Sequence, residues 1–352
     1  MEALRIIAIL MVLYIHAFGL ISGMGYTELG KNTTRLANAV CNTGVSCFIL
    51  ISGYYGISFQ WKKLIRMELM VIFYSLCMTM LGAAFFPESM TDSVFELLVK
   101  SCIPAASRKY WFYSCYVCLM LMSPFWNRAV EKVGKDLFTW LVGVMLVLFS
   151  IFPTFLYFEI TMDLGKGLVN MTMLYLAGRW IRMYGDYELK RKNGILLLLI
   201  LAGVNYLSHV FTIHIAGITL RLTKDNSITN ILISVLLLYL FKGFRFRSKF
   251  INCVAEKVFA VFIMNTFVME LVHGYVMKFD HDMIMSNWMP VWITADVLLT
   301  FGICIVIEAV RKFLLGSVED RLTRKISKVG ETIATRGRRV GWEKIKRFLF
   351  LQ

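Results

Sequence analysis

Long apolar runs alternate with short polar connections along most of this 352-residue chain. A helix needs about 20 predominantly apolar residues to cross the ~30 Å hydrocarbon core of a bilayer. The runs predict ten membrane-spanning helices, at residues 3–23, 38–58, 67–86, 110–127, 138–157, 167–184, 194–212, 228–242, 254–277 and 291–312. Between the seventh and the eighth, residues 213–222 suit a re-entrant or interfacial piece. The pattern therefore predicts an all-α fold, a polytopic membrane helical bundle.

The composition favours a membrane protein over a soluble one. Hydrophobic residues make up 58% of the chain and charged residues 17%, with a mean hydropathy of +0.65, whereas soluble domains are nearer half apolar and a quarter charged. The net charge of +15 is compatible with nucleic-acid binding. However, twelve of the 38 Lys and Arg residues follow residue 307, and most of the others lie in short loops. This distribution favours membrane topology and contact with anionic lipid, so we expect no nucleic-acid partner.

The positions of the basic residues also predict the orientation of the bundle. With a cytoplasmic N-terminus, the inner connections hold 16 Lys and Arg residues and the outer connections hold 9. The positive-inside rule then places both ends of the chain in the cytoplasm. We expect a membrane domain over residues 1–315 and a basic tail over residues 316–352. The tail suits either a disordered segment or an amphipathic helix with an apolar face made of Trp342, Ile345, Phe348 and Leu349.

Two strong bases, Arg5 and His16, interrupt the first apolar segment. This segment lacks a basic leader and a small-residue cleavage site, so we expect it to be retained as a helix. The two bases are eleven positions apart, which is three helical turns plus about 20°, so both lie on one stripe roughly 16 Å apart along the axis. An ionisable residue inside a bilayer is costly, and it therefore indicates a functional site.

Each of the two bases has a functional and a structural interpretation. His16 suits a general base, because the ordinary pKa of an imidazole lies near neutrality, but it equally suits a hydrogen bond between helices. Arg5 suits a permanent cation that binds phosphate groups, but a base at an inner helix end is also what the positive-inside rule predicts. Spacing alone leaves both interpretations open.

Three further stretches follow the first helix in a recognisable order. They are a Phe-containing run at 42–54 that ends in Ser-Gly-Tyr, a basic segment at 61–66 with Lys63 and Arg66, and a Trp-containing helix at 110–127 with a Ser-Pro pair. Together with an Arg and a His separated by ten residues in the first helix, this order resembles the acyltransferase-3 family of integral membrane acyltransferases. The resemblance covers about residues 2–315 and leaves the basic tail outside.

The resemblance implies a reaction as well as a fold. Members of this family move an acyl group, commonly acetyl, from cytoplasmic acyl-CoA to a sugar hydroxyl on the far side of the membrane. It implies that Arg5, Lys63 and Arg66 bind the CoA phosphates, and that His16 accepts a proton from the hydroxyl. We expect direct transfer without a covalent enzyme intermediate, because Ser52 has neither a nucleophile-elbow motif nor a partnered Asp.

The implied setting is a multi-pass protein of a bacterial inner or plasma membrane. Its expected partners are acyl-CoA, used as a co-substrate, an envelope polysaccharide or lipid-linked glycan, membrane lipid and envelope-assembly proteins, with no permanently bound cofactor. The chain departs from the family pattern in the ninth predicted span, where it reads Phe262-Ile-Met-Asn265 in place of a Tyr-Leu-Ile-His run. The role of that second histidine is therefore in doubt here.

Several other polar groups lie in or beside the predicted spans. Tyr110 and Trp111 begin the fourth span, where they suit either an interfacial aromatic belt or stacking on a sugar ring. Glu270 suits an acceptor contact, but its spacing of three to His273 favours a structural hydrogen-bonded pair. We expect no metal site, because a single Glu-x-x-His does not complete one and Cys115 and Cys118 lack a second pair.

Two groups near the last predicted span are also polar. Asp296 lies one or two turns inside the outer end of the span, and its role is ambiguous. Glu308 has Arg311 at i+3 and Lys312 at i+4, so a local ion pair accounts for it.

Two other functions compete with acyl transfer. A transporter or flippase of a lipid-linked or small sugar would use Arg5 and His16 to line a pathway. Against it, the sequence has no evident inverted repeat and no matched pair of Gly- or Pro-broken helices. A non-catalytic membrane partner of an envelope-assembly complex is the third possibility.

Overall fold

The computed structural model describes the backbone except at residues 23–24, 90–91, 157–158, 186, 212–213, 216–217, 220–221, 245–247 and 351–352. Side chains are described except at these residues and at 89, 214–215, 218–219 and 333–350. Within the described chain the α-helices are α1 (Glu2–Leu20), α2 (Glu28–Cys41), α3 (Gly44–Tyr55), α4 (Trp61–Phe85), α5 (Val94–Cys102), α6 (Trp111–Lys132), α7 (Lys135–Leu146), α8 (Phe152–Phe155), α9 (Leu168–Tyr184), α10 (Arg191–Val210), α11 (Ile228–Lys242), α12 (Lys249–Ala255), α13 (Val258–Leu271), α14 (His281–Ile284) and α15 (Met289–Phe350).

Short irregular helices and one small hairpin complete the secondary structure that is described. A 3-10 turn covers Pro87–Ser89, and π-helical turns cover Val147–Ile151 and Val272–Val276. Strand β1 (His214–Ile215) pairs antiparallel with β2 (Ile218–Thr219). The hairpin falls in the predicted re-entrant piece, other parts of which lie outside the described residues. The predicted all-α class is confirmed.

Seven helical stretches of the described chain are long and apolar enough to cross a membrane. They are Glu2–Leu20, Glu28–Tyr55, Trp61–Phe85, Lys135–Phe155, Arg191–Val210, Val258–Val276 and Met289–Thr332. The other three predicted spans coincide with α6, α9 and α11, of which α9 has 17 residues and α11 has 15. A multi-pass helical membrane protein is therefore supported, while the count of ten and the cytoplasmic location of both termini stay predictions.

Two predicted boundaries differ from the observed helices for a physical reason. The second predicted span began at residue 38, whereas the helical stretch begins at Glu28, because polar residues of α2 such as Lys31 and Arg35 interrupt the apolar pattern without ending the helix. The last predicted span ended at residue 312, whereas α15 runs for 62 residues, from Met289 to Phe350. It crosses residue 315 without a break, so the division into a membrane domain and a tail stays a prediction. The predicted apolar face of the tail lies outside the described side chains.

Helix α1 lies between the two hydrophobic cores of the bundle. It packs against α2, α3, α13 and α15. Leu4 and Ala8 belong to a core formed mainly with α3, α6, α9 and α11, while Leu13 and Ala17 belong to a core formed with α4, α13 and α15. The backbone of α3 comes so close that a Cβ on Gly44 would lie 2.6 Å from the carbonyl oxygen of Ala8. The helix that carries Arg5 and His16 is thus held on several sides.

The contact between α3 and α9 is a seam of backbone against backbone. A Cβ on Gly53 would lie 2.2 Å from the carbonyl oxygen of Tyr175, and one on Gly178 would lie 2.5 Å from that of Leu50. Small residues permit such close approach, which drives helix association in a bilayer. The glycine of the Ser-Gly-Tyr stretch is therefore explained by packing.

The predicted pairing of Glu270 with His273 is wrong. The π-helical turn over Val272–Val276 alters the periodicity at this point, so a spacing of three no longer places the two side chains together. The His273 ring instead stacks on Phe279, with centroids 4.4 Å apart. Its Nδ1 lies 3.6 Å from Oδ2 of Asp296, which is fully buried in α15.

The seam predicts the effect of adding a single methyl group. We expect Gly53→Ala to destabilise the protein by about 1–3 kcal/mol, because the helices must separate to admit the Cβ. Gly203→Ala in α10 is the matched control, since a Cβ there meets nothing within 4 Å, and helix propensity makes that change neutral or stabilising by up to about 1 kcal/mol. Thermal unfolding of the detergent-solubilised protein measures the difference. Equal melting temperatures for the two variants would contradict the seam.

Candidate functional site

Two cavities lie one after the other along α1. The Arg5 cavity has a volume of about 440 Å³ and is lined by Arg5 together with residues of α3, α4, α6, α13 and α15. The His16 cavity has a volume of about 450 Å³ and is lined by His16 together with residues of α4, α6, α13 and several connections. Phe262 of α13 lines both. Its ring packs on Phe112, with centroids 4.8 Å apart, so an aromatic pair lies where the cavities meet.

The residues singled out from the sequence divide between these two cavities. The basic residues Arg5, Lys63 and Arg66 all line the Arg5 cavity. The others line the His16 cavity, namely His16, Tyr110, Trp111 and Glu270. One face of α1 therefore runs past both cavities, with Arg5 lining the first and His16 lining the second.

A hydrogen bond to Asn265 of α13 orients the imidazole of His16. The amide nitrogen of Asn265 donates to the carbonyl oxygen of Phe262 at 2.5 Å, so its Oδ1 faces the ring. Nδ1 of His16 must then carry the proton and donate it to Oδ1. This assignment, made from the hydrogen-bond network, leaves Nε2 as the basic nitrogen. Asn265 occupies the position at which the sequence departs from the family pattern.

The cations of the Arg5 cavity differ in how they are paired. Arg5 binds Glu2, one turn before it, at 3.0 Å. Arg66 binds Asp320 of the long helix α15. Lys63 is exposed, and no described carboxylate lies within ion-pair distance of its ammonium. Of these three cations, one is unneutralised and two have partners that an anionic ligand would have to displace.

A buried ion-pair network forms one wall of the Arg5 cavity. Arg311 binds both oxygens of Glu308, at 2.7 and 2.9 Å, and one oxygen of Glu319, at 2.7 Å. The hydroxyl of Tyr74 donates to Glu308 at 2.6 Å. The predicted Glu308–Arg311 pair is confirmed, whereas Lys312 pairs with Glu256 at 3.5 Å. Glu319 was missed because the predicted end of the last span hid the continuation of α15.

Three charged residues of the His16 cavity were also missed, namely Lys109, Lys166 and Asp225. Burial, together with the nearby charge of Lys100, lowers the pKa of Lys109 to about 8. Burial raises the pKa of Asp225 to about 6, and the positive charge of Lys166 offsets part of that rise. All three lie in connections that are distant in sequence, and only the fold brings them together.

Neither cavity offers a recognised metal site. Among the described residues, no group of three or more His, Cys, Asp or Glu side chains is placed to hold a metal ion. Ser52 lines the Arg5 cavity, but its hydroxyl donates to the carbonyl oxygen of Phe48 at 2.9 Å.

Comparison with known proteins gives one match. A family model described as an acyltransferase domain, in the acyltransferase-3 family, matches residues 1–309. Comparisons with curated proteins and with solved structures gave no match. The matched region includes both cavities except for Arg311, Lys312 and Glu319.

The buried network predicts that replacing Arg311 costs far more stability than replacing the adjacent Lys312. Arg311→Met removes the close ion-pair partner of two nearly buried carboxylates, since the side chains of Glu308 and Glu319 are 5% and 11% exposed and, among the described residues, Glu319 keeps only Arg66, at 4.0 Å. We expect a loss of about 3–5 kcal/mol of stability. Lys312→Met breaks an ion pair whose side chains are 52% and 66% exposed, so we expect a loss of about 0–1 kcal/mol. Thermal unfolding in detergent compares them, and similar losses would contradict the network.

Proposed function

The chain belongs to the acyltransferase-3 family of membrane acyltransferases, and on that premise we propose that the two cavities hold the two substrates of one reaction. Acyl-CoA, most simply acetyl-CoA, enters the Arg5 cavity. A hydroxyl of a cell-envelope polysaccharide or lipid-linked glycan enters the His16 cavity. The observation that carries this proposal is the shared wall at Phe262, because substrates in the two cavities would meet at one point beside α1.

The charges of the Arg5 cavity support the donor assignment. The phosphates of CoA need cations, and hydrogen bonds between charged groups are about twice as strong as neutral ones. Lys63 is available without exchange of partners, while Arg5 and Arg66 exchange Glu2 and Asp320 for phosphate. The pantetheine arm then extends along the apolar wall made by Met67, Met70 and Phe259 toward Phe262.

The orientation of His16 supports a direct transfer. Nε2 takes the proton of the acceptor hydroxyl as its oxygen forms a bond with the thioester carbonyl carbon. The carbon–sulfur bond breaks, and the proton passes from Nε2 to the CoA sulfur. Asn265 holds the ring in the required tautomer by accepting a hydrogen bond from Nδ1–H through its Oδ1. No covalent enzyme intermediate is needed, and the hydroxyl of Ser52 is engaged elsewhere.

The remaining wall of the His16 cavity suits a glycan. Trp111 and Tyr110 offer aromatic faces, and Glu270 offers a carboxylate for a sugar hydroxyl. With both cytoplasmic CoA and an external glycan to reach, the protein operates across a bacterial inner or plasma membrane. Envelope-assembly proteins and membrane lipid are its expected neighbours there.

Replacing His16 tests its role as the base. We expect the variant to fold but to transfer the acyl group slowly. Proton transfer by a positioned base contributes about 10²–10⁴-fold, so His16→Gln should lower the transfer rate by that factor. Asn265→Ala should lower it less, because Nε2 remains but the tautomer is no longer fixed. His281→Gln is the matched control, since His281 is exposed and lies outside both cavities.

The measurement uses purified protein, radiolabelled acetyl-CoA and a panel of envelope glycans. Label on the glycan that disappears in His16→Gln supports the proposal. Label transferred by His16→Gln at the wild-type rate contradicts His16 as the base. Glycan that crosses the membrane of a reconstituted vesicle without label supports the transporter instead.

Variants of Lys63 and of its neighbour Lys62 test whether the Arg5 cavity binds the CoA phosphates. Lys63→Ala should raise the KM for acetyl-CoA by about tenfold with little change in kcat, because it removes a phosphate contact that is equal in ground and transition states. Lys62→Ala is the control, since Lys62 is exposed and does not line the cavity. Equal KM values for the two variants would exclude Lys63 from CoA binding.

A further inference from the structure

Two lysines of the His16 cavity have no role in the reaction described above. We propose that Lys109 and Lys166 bind an anionic group of the acceptor glycan, a carboxylate or a phosphate, and thereby present one of its hydroxyls to His16. The inference rests on the proposed function in so far as the His16 cavity holds the acceptor. It adds that the acceptor is an acidic glycan.

Lys109 is a half-buried ammonium without a counterion. Its Nζ donates to the hydroxyls of Thr79 and Ser101, both at 2.6 Å. An ammonium has three N–H donors, so one remains for a molecule in the cavity. Burial of an unpaired charge is costly, and two neutral hydroxyls compensate for it only in part. The depressed pKa of this amine, about 8, reflects that cost.

Lys166 supplies a second cation at the edge of the same cavity. It is exposed, and among the described residues no carboxylate oxygen lies within ion-pair distance of its ammonium. Its charge acts on Asp225, since it offsets part of the rise in the pKa of that carboxyl. Lys109 and Lys166 thus approach one space from two connections that are remote in sequence.

Lys100 in α5 and Lys224, in the connection that carries Asp225, behave differently. Lys100 binds Asp92 and Glu96, at 2.7 and 2.8 Å, and Lys224 binds Glu159 at 3.1 Å. These ion pairs neutralise lysines that do not line the cavity. The two lysines that do line it are left without carboxylate partners, which is the arrangement expected of a site for an anionic ligand.

The cavity also contains two carboxyl groups, Asp225 and Glu270. Burial raises the pKa of Asp225 to about 6, so part of this carboxyl is protonated near neutral pH and the balance of charge shifts toward positive. Glu270 lies on α13, one turn and a half beyond Asn265, and it suits a sugar hydroxyl. An acidic sugar would therefore be oriented, with its anionic group on the lysines and its hydroxyls toward Glu270 and His16.

Lysine footprinting tests this site without any acyl transfer. The wild-type protein in detergent is treated at pH 8 with an amine-acetylating reagent, and modification of each lysine is measured by mass spectrometry. The probes are sodium glucuronate, glycerol phosphate and glucose. We expect saturating glucuronate or glycerol phosphate to slow modification of Lys109 and Lys166 roughly tenfold, in proportion to the occupied fraction of the site. Lys278 is the internal control, since it is exposed and lies outside the cavity.

The pattern of protection shows whether the site binds a carboxylate or a phosphate. Protection by glucuronate alone indicates a carboxylate, protection by glycerol phosphate alone indicates a phosphate, and protection by both indicates a general anion site. Protection by none of the probes, or equal protection by glucose, overturns the inference. Because no acyl group is transferred from CoA in this experiment, protection persists even where the proposed function fails.

A transfer assay gives the complementary result. A uronic-acid glycan and the same glycan after chemical reduction of its carboxyl groups are compared as acceptors of labelled acetyl. We expect Lys109→Gln and Lys166→Gln each to lower transfer to the acidic glycan by about tenfold or more, because each removes a charge-assisted hydrogen bond. Lys278→Gln should leave it unchanged. Transfer that proceeds equally to both glycans would overturn the inference while the proposed function stands.

Discussion

The hydrogen bond between His16 and Asn265 is the contact on which the arrangement of the site depends. An imidazole on an apolar helix inside a bilayer is costly unless its polar atoms have partners. Asn265 supplies that partner from α13, and the same contact joins α1 to the helix that carries Phe262 one turn earlier. The pairing therefore sets the direction of the basic nitrogen and the position of the wall between the two cavities. One polar contact thus orients the base beside the wall between the two cavities.

The two cavities differ in how their charges are compensated, and this difference matches two different occupants. Around the Arg5 cavity, Glu2 pairs with Arg5 and Asp320 pairs with Arg66, so a ligand with several phosphates meets the unpaired Lys63 and two exchangeable ion pairs. Around the His16 cavity, Lys109 is compensated only by hydroxyls. On the proposed assignment, electrostatics rather than size would distinguish a donor with many charges from an acceptor with few, since the two volumes are similar.

Much of the site could be predicted from sequence because it lies on one helix or in short local motifs. The spacing of Arg5 and His16 follows from helical periodicity, and the Glu308–Arg311 pair follows from a separation of three. Lys109 and Lys166 could not be found this way, because connections far apart in sequence meet only through the packing of the bundle. The Glu270–His273 pairing failed because a π-helical turn changes the local periodicity, and nothing in the residue pattern marks that turn.

A structure of the purified protein with a non-hydrolysable acetyl-CoA analogue tests most directly whether the two cavities form one transfer path. We predict that the nucleotide phosphates lie beside Arg5 and Lys63, and that the acyl end lies at Phe262, facing the His16 cavity. An analogue bound outside the Arg5 cavity, or one whose acyl end lies away from Phe262 and His16, would contradict this account.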